Sequence, residues 1–234
     1  MLSGILTFFR TGEFGIQFWA SMISAVLVVF FCLPVHEYAH GFIASKLGDP
    51  TAKNMGRLDL NPLAHLDPIG TVAIFLFGFG WARPVPINPN YFKNPKRGMA
   101  LTALAGPVSN ILMALIAMIL YKLTAILGMT FSGAANILTI ISYILFGLIS
   151  LNLSLAVFNL VPIPPLDGSK ILGAFLPDRI YNIVLQYERY AILLVYLVMF
   201  TGILSGPMNF ILNALYRLLN FLTGFMDMFA SFVR

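Results

Sequence analysis

The chain has 234 residues, of which 59% are hydrophobic and only 10% charged, with a formal net charge of +5; its mean hydropathy is +0.88. An ordinary soluble domain carries about 25% charged residues, so a disordered chain, a coiled coil, a disulfide-stapled secreted domain and a typical soluble enzyme are excluded. What remains is a multi-pass membrane protein built as one compact domain.

The basic residues lie in loops beside apolar runs, the bias of cytoplasmic loops in polytopic proteins, so no nucleic-acid partner is expected. Cys32 stands alone and leaves no intrachain disulfide. Arg10 follows an apolar stretch instead of preceding one, so no cleavable signal is expected.

A spanning helix needs about 20 mainly apolar residues. Such runs cover Phe18 to about Lys46, Gly98 to Leu123, Ala135 to Val161 and, more briefly, Tyr190 to Leu204. A last stretch, Met208 to Val233, carries Asn209, Asn213, Arg217, Asn220 and Asp227 as a narrow polar stripe at helical spacing. It either spans with the stripe facing inward or lies in the interface, and spanning is the preferred reading. The expected fold is therefore an all-α polytopic membrane protein with about four to five transmembrane helices. Between the first and second runs, the shorter apolar stretch from Ile69 to Gly80 is expected to be re-entrant, buried or strand-like. The stretch WARPVPINPNYFKNP after it is too proline-rich for helix interior and reads as extended chain and turns. It could pair with an unwound substrate strand or serve as a plain structural strand. One domain is expected over 1–234, with a core of about 18–204 and a C-terminal apolar helix over 205–234.

Lys46, Lys53, Arg57, Arg83, Lys93, Lys96 and Arg97 crowd the segment between the first two runs, and Lys170, Arg179 and Arg189 follow the third. The loop between the second and third runs offers only Lys122. By the positive-inside rule, 46–97 and 162–189 are cytoplasmic. The first and third helices then run the same way and end at the same membrane face.

Two patterns stand at those ends. His36-Glu37-Tyr38-Ala39-His40 is HExxH: its histidines fall on one helical face and can share a Zn²⁺, while Glu37 can serve the bound water as general base. Ionisable residues inside a membrane segment are costly and mark function. A third protein ligand is needed. The pattern HExxHxxGxxH fails, because positions 43 and 46 are Ile43 and Lys46. Glu188 falls in a connecting segment, which leaves Asp49, Asp59, His65, Asp67, Asp167 and Asp178. At the end of the third run, Asn159 begins NLVPIPPLDG, where three prolines unwind the chain and Gly168 permits a turn directly after Asp167. The topology brings Asp167 to the membrane face of His36 and His40, so it is the expected third ligand. Cys32, one turn before His36, reads as a packed small residue; His65 and Asp67 read as turn and cap residues; Pro34 is expected to kink the first helix.

HExxH in the first core helix, followed more distantly by NxxPxPPLDG, resembles the site-2 protease family of intramembrane zinc metalloproteases. GWARPVPIN and AGPVSN resemble its compact bacterial members. The resemblance covers roughly residues 30 to 175. It implies zinc ligands His36, His40 and Asp167, Glu37 as catalytic base, and Asn159, with Asn110 behind it, as the residue that stabilises the oxyanion or positions substrate. It also implies membrane-protein substrates and a bacterial plasma membrane, with the active site towards the cytoplasm. The inserted PDZ and appended CBS domains of many members are not expected here. The alternative from another class is a non-proteolytic membrane protein, either a metal transporter or a peptidase-like scaffold that binds transmembrane helices.

Overall fold

A computed structural model describes residues 15–77, 82–177, 179–181, 186, 195 and 201–233. Three of its helices are long and apolar enough to cross a membrane: Ile16–Lys46, Pro95–Thr130 and Ala135–Asn159. The protein is an all-α membrane protein, as its composition requires. The expected span over 190–204 falls mostly outside the described residues.

The first long helix changes winding in its middle. A π-turn over Val28–Cys32 leads into the α-helix Leu33–Lys46. Pro34 has no N–H to give the carbonyl four residues back, and a wider turn is one way for a helix to absorb that. The expected disturbance at Pro34 thus takes the form of a π-turn just before the HExxH. The second long helix starts at Pro95, whose missing N–H costs nothing at a first position, and the Asn94 side chain caps it by accepting from Arg97 N–H.

The third long helix packs against both of the others. One side packs Leu155 with Ala25, Val28, Val29, Cys32 and Leu33 of the first helix. The other packs Ile149 and Leu153 with Ala114, Ala117 and Met118 of the second. Small residues let the backbones approach: a Cβ at Gly147 would lie 2.8 Å from Ser24 Cβ. Ser24 Oγ lies 2.7 Å from the Ala20 carbonyl and 2.9 Å from the Ile144 carbonyl across the interface. Trp19, Phe31, Leu112, Ile116 and Ile137 point outward and exposed, a surface suited to lipid rather than water.

The C-terminal apolar stretch is two helices, Ser205–Leu222 and Gly224–Val233, and neither is among the three candidate spans. Leu212, Leu215, Tyr216 and Leu219 pack onto the second and third long helices. Asn209, Asn213, Arg217 and Asn220 are exposed. These four residues of the polar stripe therefore face away from this core, while Asp227 pairs with Lys122 of the second long helix.

Between the first two long helices the chain makes single turns at Thr51–Asn54 and Pro62–His65. The short apolar stretch then forms the ten-residue helix Pro68–Phe77. The described part of the stretch is thus helical rather than strand-like, and its ten residues are fewer than a span needs. Residues 82–88 are extended, with no strand pairing among the described residues. The prolines at 84 and 86 force that conformation, because a residue before proline is pushed out of the helical region.

Candidate metal centre

His36 and His40 sit one turn apart on the buried face of the first long helix, 5% and 6% exposed. The chain unwinds after Asn159 and re-enters helix at Asp167–Gly173, which delivers Asp167 to the same point, 6% exposed. Gly168 is needed there, since a Cβ would strike the Leu160 carbonyl. His36 Nε2 and His40 Nε2 are 3.0 Å apart, and Asp167 Oδ2 lies 3.4 and 3.3 Å from them. Among the described residues, these three form the group of His, Cys, Asp and Glu donors able to hold a metal ion.

The tautomers are fixed from behind. His40 Nδ1 donates to the Thr102 carbonyl at 2.8 Å. His36 Nδ1 donates to Asn110 Oδ1, also at 2.8 Å. With their protons on Nδ1, both neutral rings present a lone pair at Nε2. Asp167 Oδ2 is buried without a hydrogen-bond partner. In this tautomer two imidazole lone pairs and a carboxylate oxygen converge on one point, an arrangement that a bound cation would satisfy. Donor atoms of a tetrahedral zinc lie roughly 3.3 Å from one another, so the spacing fits that ion. Two borderline imidazole nitrogens beside one carboxylate suit zinc rather than magnesium or calcium, which prefer all-oxygen sites.

Glu37 is also buried, at 9% exposure, and its Oε2 accepts the Val85 N–H at 2.9 Å. A cavity of ≈ 270 Å³ opens beside these groups. Leu33, Val85, Ile87, Met99, Leu155, Phe158 and Val195 give it apolar walls, and Asn159 and Lys170 line it together with Glu37 and the three donors. Lys170 Nζ stands 3.9 Å from Asp167 Oδ1.

The remaining sequence candidates are placed elsewhere. Asp49 is fully buried, with Oδ1 taking the Thr51 N–H and hydroxyl and Oδ2 the Asn88 N–H at 2.7 Å. His65 Nε2 meets the Asp59 carbonyl, and Asp67 caps a turn through Gly70 N–H, in line with turn and capping roles. Asp178 and Glu188 lie outside the described residues. Asn110 is fully buried behind His36 and is not among the residues lining the cavity, whereas Asn159 is. Cys32 is a buried free thiol beside Asn152 Nδ2. Sequence reasoning missed two contributors, Thr102 and Gly106. A Cβ at Gly106 would stand 2.5 Å from His36 Cε1 and closer still to His40 Nε2. The small-residue run AGPVSN was the available signal.

A helical membrane protein that sets HExxH and an aspartate around one point, beside a buried glutamate, has the makings of a membrane-embedded metalloprotease. The chain belongs to peptidase family M50, the site-2 protease family, whose model matches residues 24–204. It is 43% identical over 175 residues to the Bacillus subtilis protein named "Putative zinc metalloprotease YwhC", covering 75% of this chain and 78% of that one. It is 26% identical over 180 residues to "Putative zinc metalloprotease Rip2" of Mycolicibacterium smegmatis, covering 74% and 65%. It is 28% identical over 162 residues to "Zinc metalloprotease MJ0392" of Methanocaldococcus jannaschii, covering 69% of this chain and 36% of that protein. No solved structure matches. Zinc is the cofactor that family and donor set together imply.

Proposed function

We propose that the protein is an intramembrane endopeptidase that hydrolyses transmembrane segments of other membrane proteins. The carrying observation is the convergence of His36, His40 and Asp167 beside Glu37 in an apolar cavity where two spanning helices end. His36, His40 and Asp167 would hold the metal. A zinc ion held there would supply a water of near-neutral pKa and a Lewis acid for the substrate carbonyl. Glu37 takes the water's proton and passes it to the leaving amine. Asn159, lining the cavity at the end of the third helix, donates to the carbonyl oxygen as charge develops. Asn110 works behind His36, holding its tautomer.

The substrate's own helix hides its carbonyls in hydrogen bonds, so a segment must unwind before attack, and helix-breaking residues in it favour cleavage. The apolar cavity walls suit the side chains of such a segment. The basic residues between the first two helices support a cytoplasmic opening, in a bacterial plasma membrane.

The test is purified full-length protein in lipid vesicles with a single-pass substrate, together with zinc content per chain. Wild type is expected to cleave and to hold about one zinc. Glu37→Gln should keep the zinc and lose cleavage, and Asp167→Ala should lose both. Cleavage by Glu37→Gln, or full zinc in Asp167→Ala, would remove the residue roles. No cleavage of any membrane segment by zinc-loaded wild type would overturn the function.

A further inference from the structure

The extended segment 82–88 is held by Glu37 of the HExxH and by two residues outside any recognised motif, Asp49 and Arg57. Its N–H groups go to fixed acceptors: Arg83 to the His65 carbonyl at 2.7 Å, Val85 to Glu37 Oε2 at 2.9 Å and Asn88 to Asp49 Oδ2 at 2.7 Å. Its carbonyls at Arg83 and Pro84 accept from Arg57 Nη2 at 3.0 and 3.2 Å. The other arm of that guanidinium, Nη1, donates to the Ala64 carbonyl. Arg57 therefore ties the 57–65 loop to the backbone immediately before Val85. A planar fork with donors on two sides can do this, and a lysine ammonium cannot reach all three carbonyls in the same way.

From this network we infer that Arg57 is a positioning residue for Glu37, acting through the Val85 amide. The inference rests on the proposed peptidase reading, in which Glu37 is the base. Pro84 and Pro86 carry no N–H, so Val85 is the sole amide donor between Arg83 and Ile87, and it is spent on the glutamate. The contact is enclosed: Val85 is 5% exposed, and its Cγ1 lies only 3.1 Å from where a Cβ at Gly41 would stand. A carboxylate that must meet a water at one angle loses rate when it swings. Arg57 holds the backbone that stops the swing.

Hydrogen exchange decides this without a substrate, because the flanking prolines leave Val85 as the one exchanging amide in its stretch. Wild type, Arg57→Ala, Glu37→Ala and the double variant are compared in detergent, with zinc content and melting temperature as folding controls. Arg57→Ala is expected to raise Val85 exchange about tenfold or more. Glu37→Ala should raise it further, and adding Arg57→Ala to Glu37→Ala should change nothing more. Unchanged exchange in Arg57→Ala overturns the inference. So does an equal increase from Arg57→Ala in both backgrounds, which would make Arg57 a brace of the loop alone. On a cleaved substrate, Arg57→Ala should lower kcat about tenfold with KM nearly unchanged, and Arg57→Lys should recover only part. A loss confined to KM, or one that tracks lost zinc, also overturns it. If wild type cleaves nothing, the peptidase reading fails while the exchange cycle still decides what Arg57 holds.

Discussion

Gly106 of the second long helix lies flat against the imidazole of His40, with no space between them for even a methyl group. Replacing Gly106 with alanine must push the histidine pair or the helix backbone aside. Overpacking of this kind costs about 1–3 kcal/mol. Here the shift falls on two of the proposed metal donors, and the expected result is a zinc affinity lowered at least about tenfold, with helical content unchanged. Competition against a chelator of known affinity, alongside circular dichroism, measures both. Wild-type zinc retention in Gly106→Ala would show that the ligands can slide aside freely.

Asn110 separates an acceptor role from a mere packing role. His36 Nδ1 needs an oxygen there to keep its proton and leave Nε2 for the metal. Asn110→Leu keeps the approximate size and removes the acceptor, and zinc affinity should fall about 10–100-fold. Asn110→Asp restores an acceptor and should restore binding. Equal losses in the two variants, read by the same chelator competition, would reduce Asn110 to a space filler.

Lys122 and Asp227 form an asymmetric ion pair. Lys122 Nζ sits 2.6 Å from Asp227 Oδ2, yet the lysine side chain is 9% exposed and the aspartate 62%. The ammonium also faces the Asn220 and Thr223 carbonyls, at 3.3 and 3.4 Å, where the helix Ser205–Leu222 ends. Removing the aspartate leaves a buried cation with carbonyls alone, whereas removing the lysine leaves a carboxylate in contact with solvent or headgroups. Asp227→Ala should therefore destabilise more than Lys122→Met, by roughly 3 kcal/mol against about 1. Thermal melting and proteolysis of the C-terminal helices would report it, and the opposite ranking would show that solvent reaches Lys122 freely.

The three candidate metal donors that the structure brings together were legible in the sequence because their chemistry is carried by side chains at fixed spacing. HExxH on an apolar helix has few other uses, and prolines before Asp167 mark an unwound chain. Asp49 and His65 were indistinguishable from ligands by residue type. Only the structure shows Asp49 spending both oxygens on backbone and side-chain donors nearby. Arg57 was readable only as charge, because its partners are carbonyls and any residues could supply those. Thr102 was invisible for the same reason: its carbonyl, not its side chain, holds His40. The C-terminal stretch read as one helix because its apolar composition is continuous, whereas the structure breaks it at Thr223, between Leu222 and Gly224.

The donors also come from opposite ends of the folding history. His36 and His40 enter the membrane with the first helix, and Asp167 arrives only after two more spanning helices have been made and packed. A half-synthesised chain therefore carries a glutamate and two histidines but no closed set of donors. The proposed metal site is therefore completed late in synthesis, when the segment after the third long helix carries Asp167 back to the two histidines.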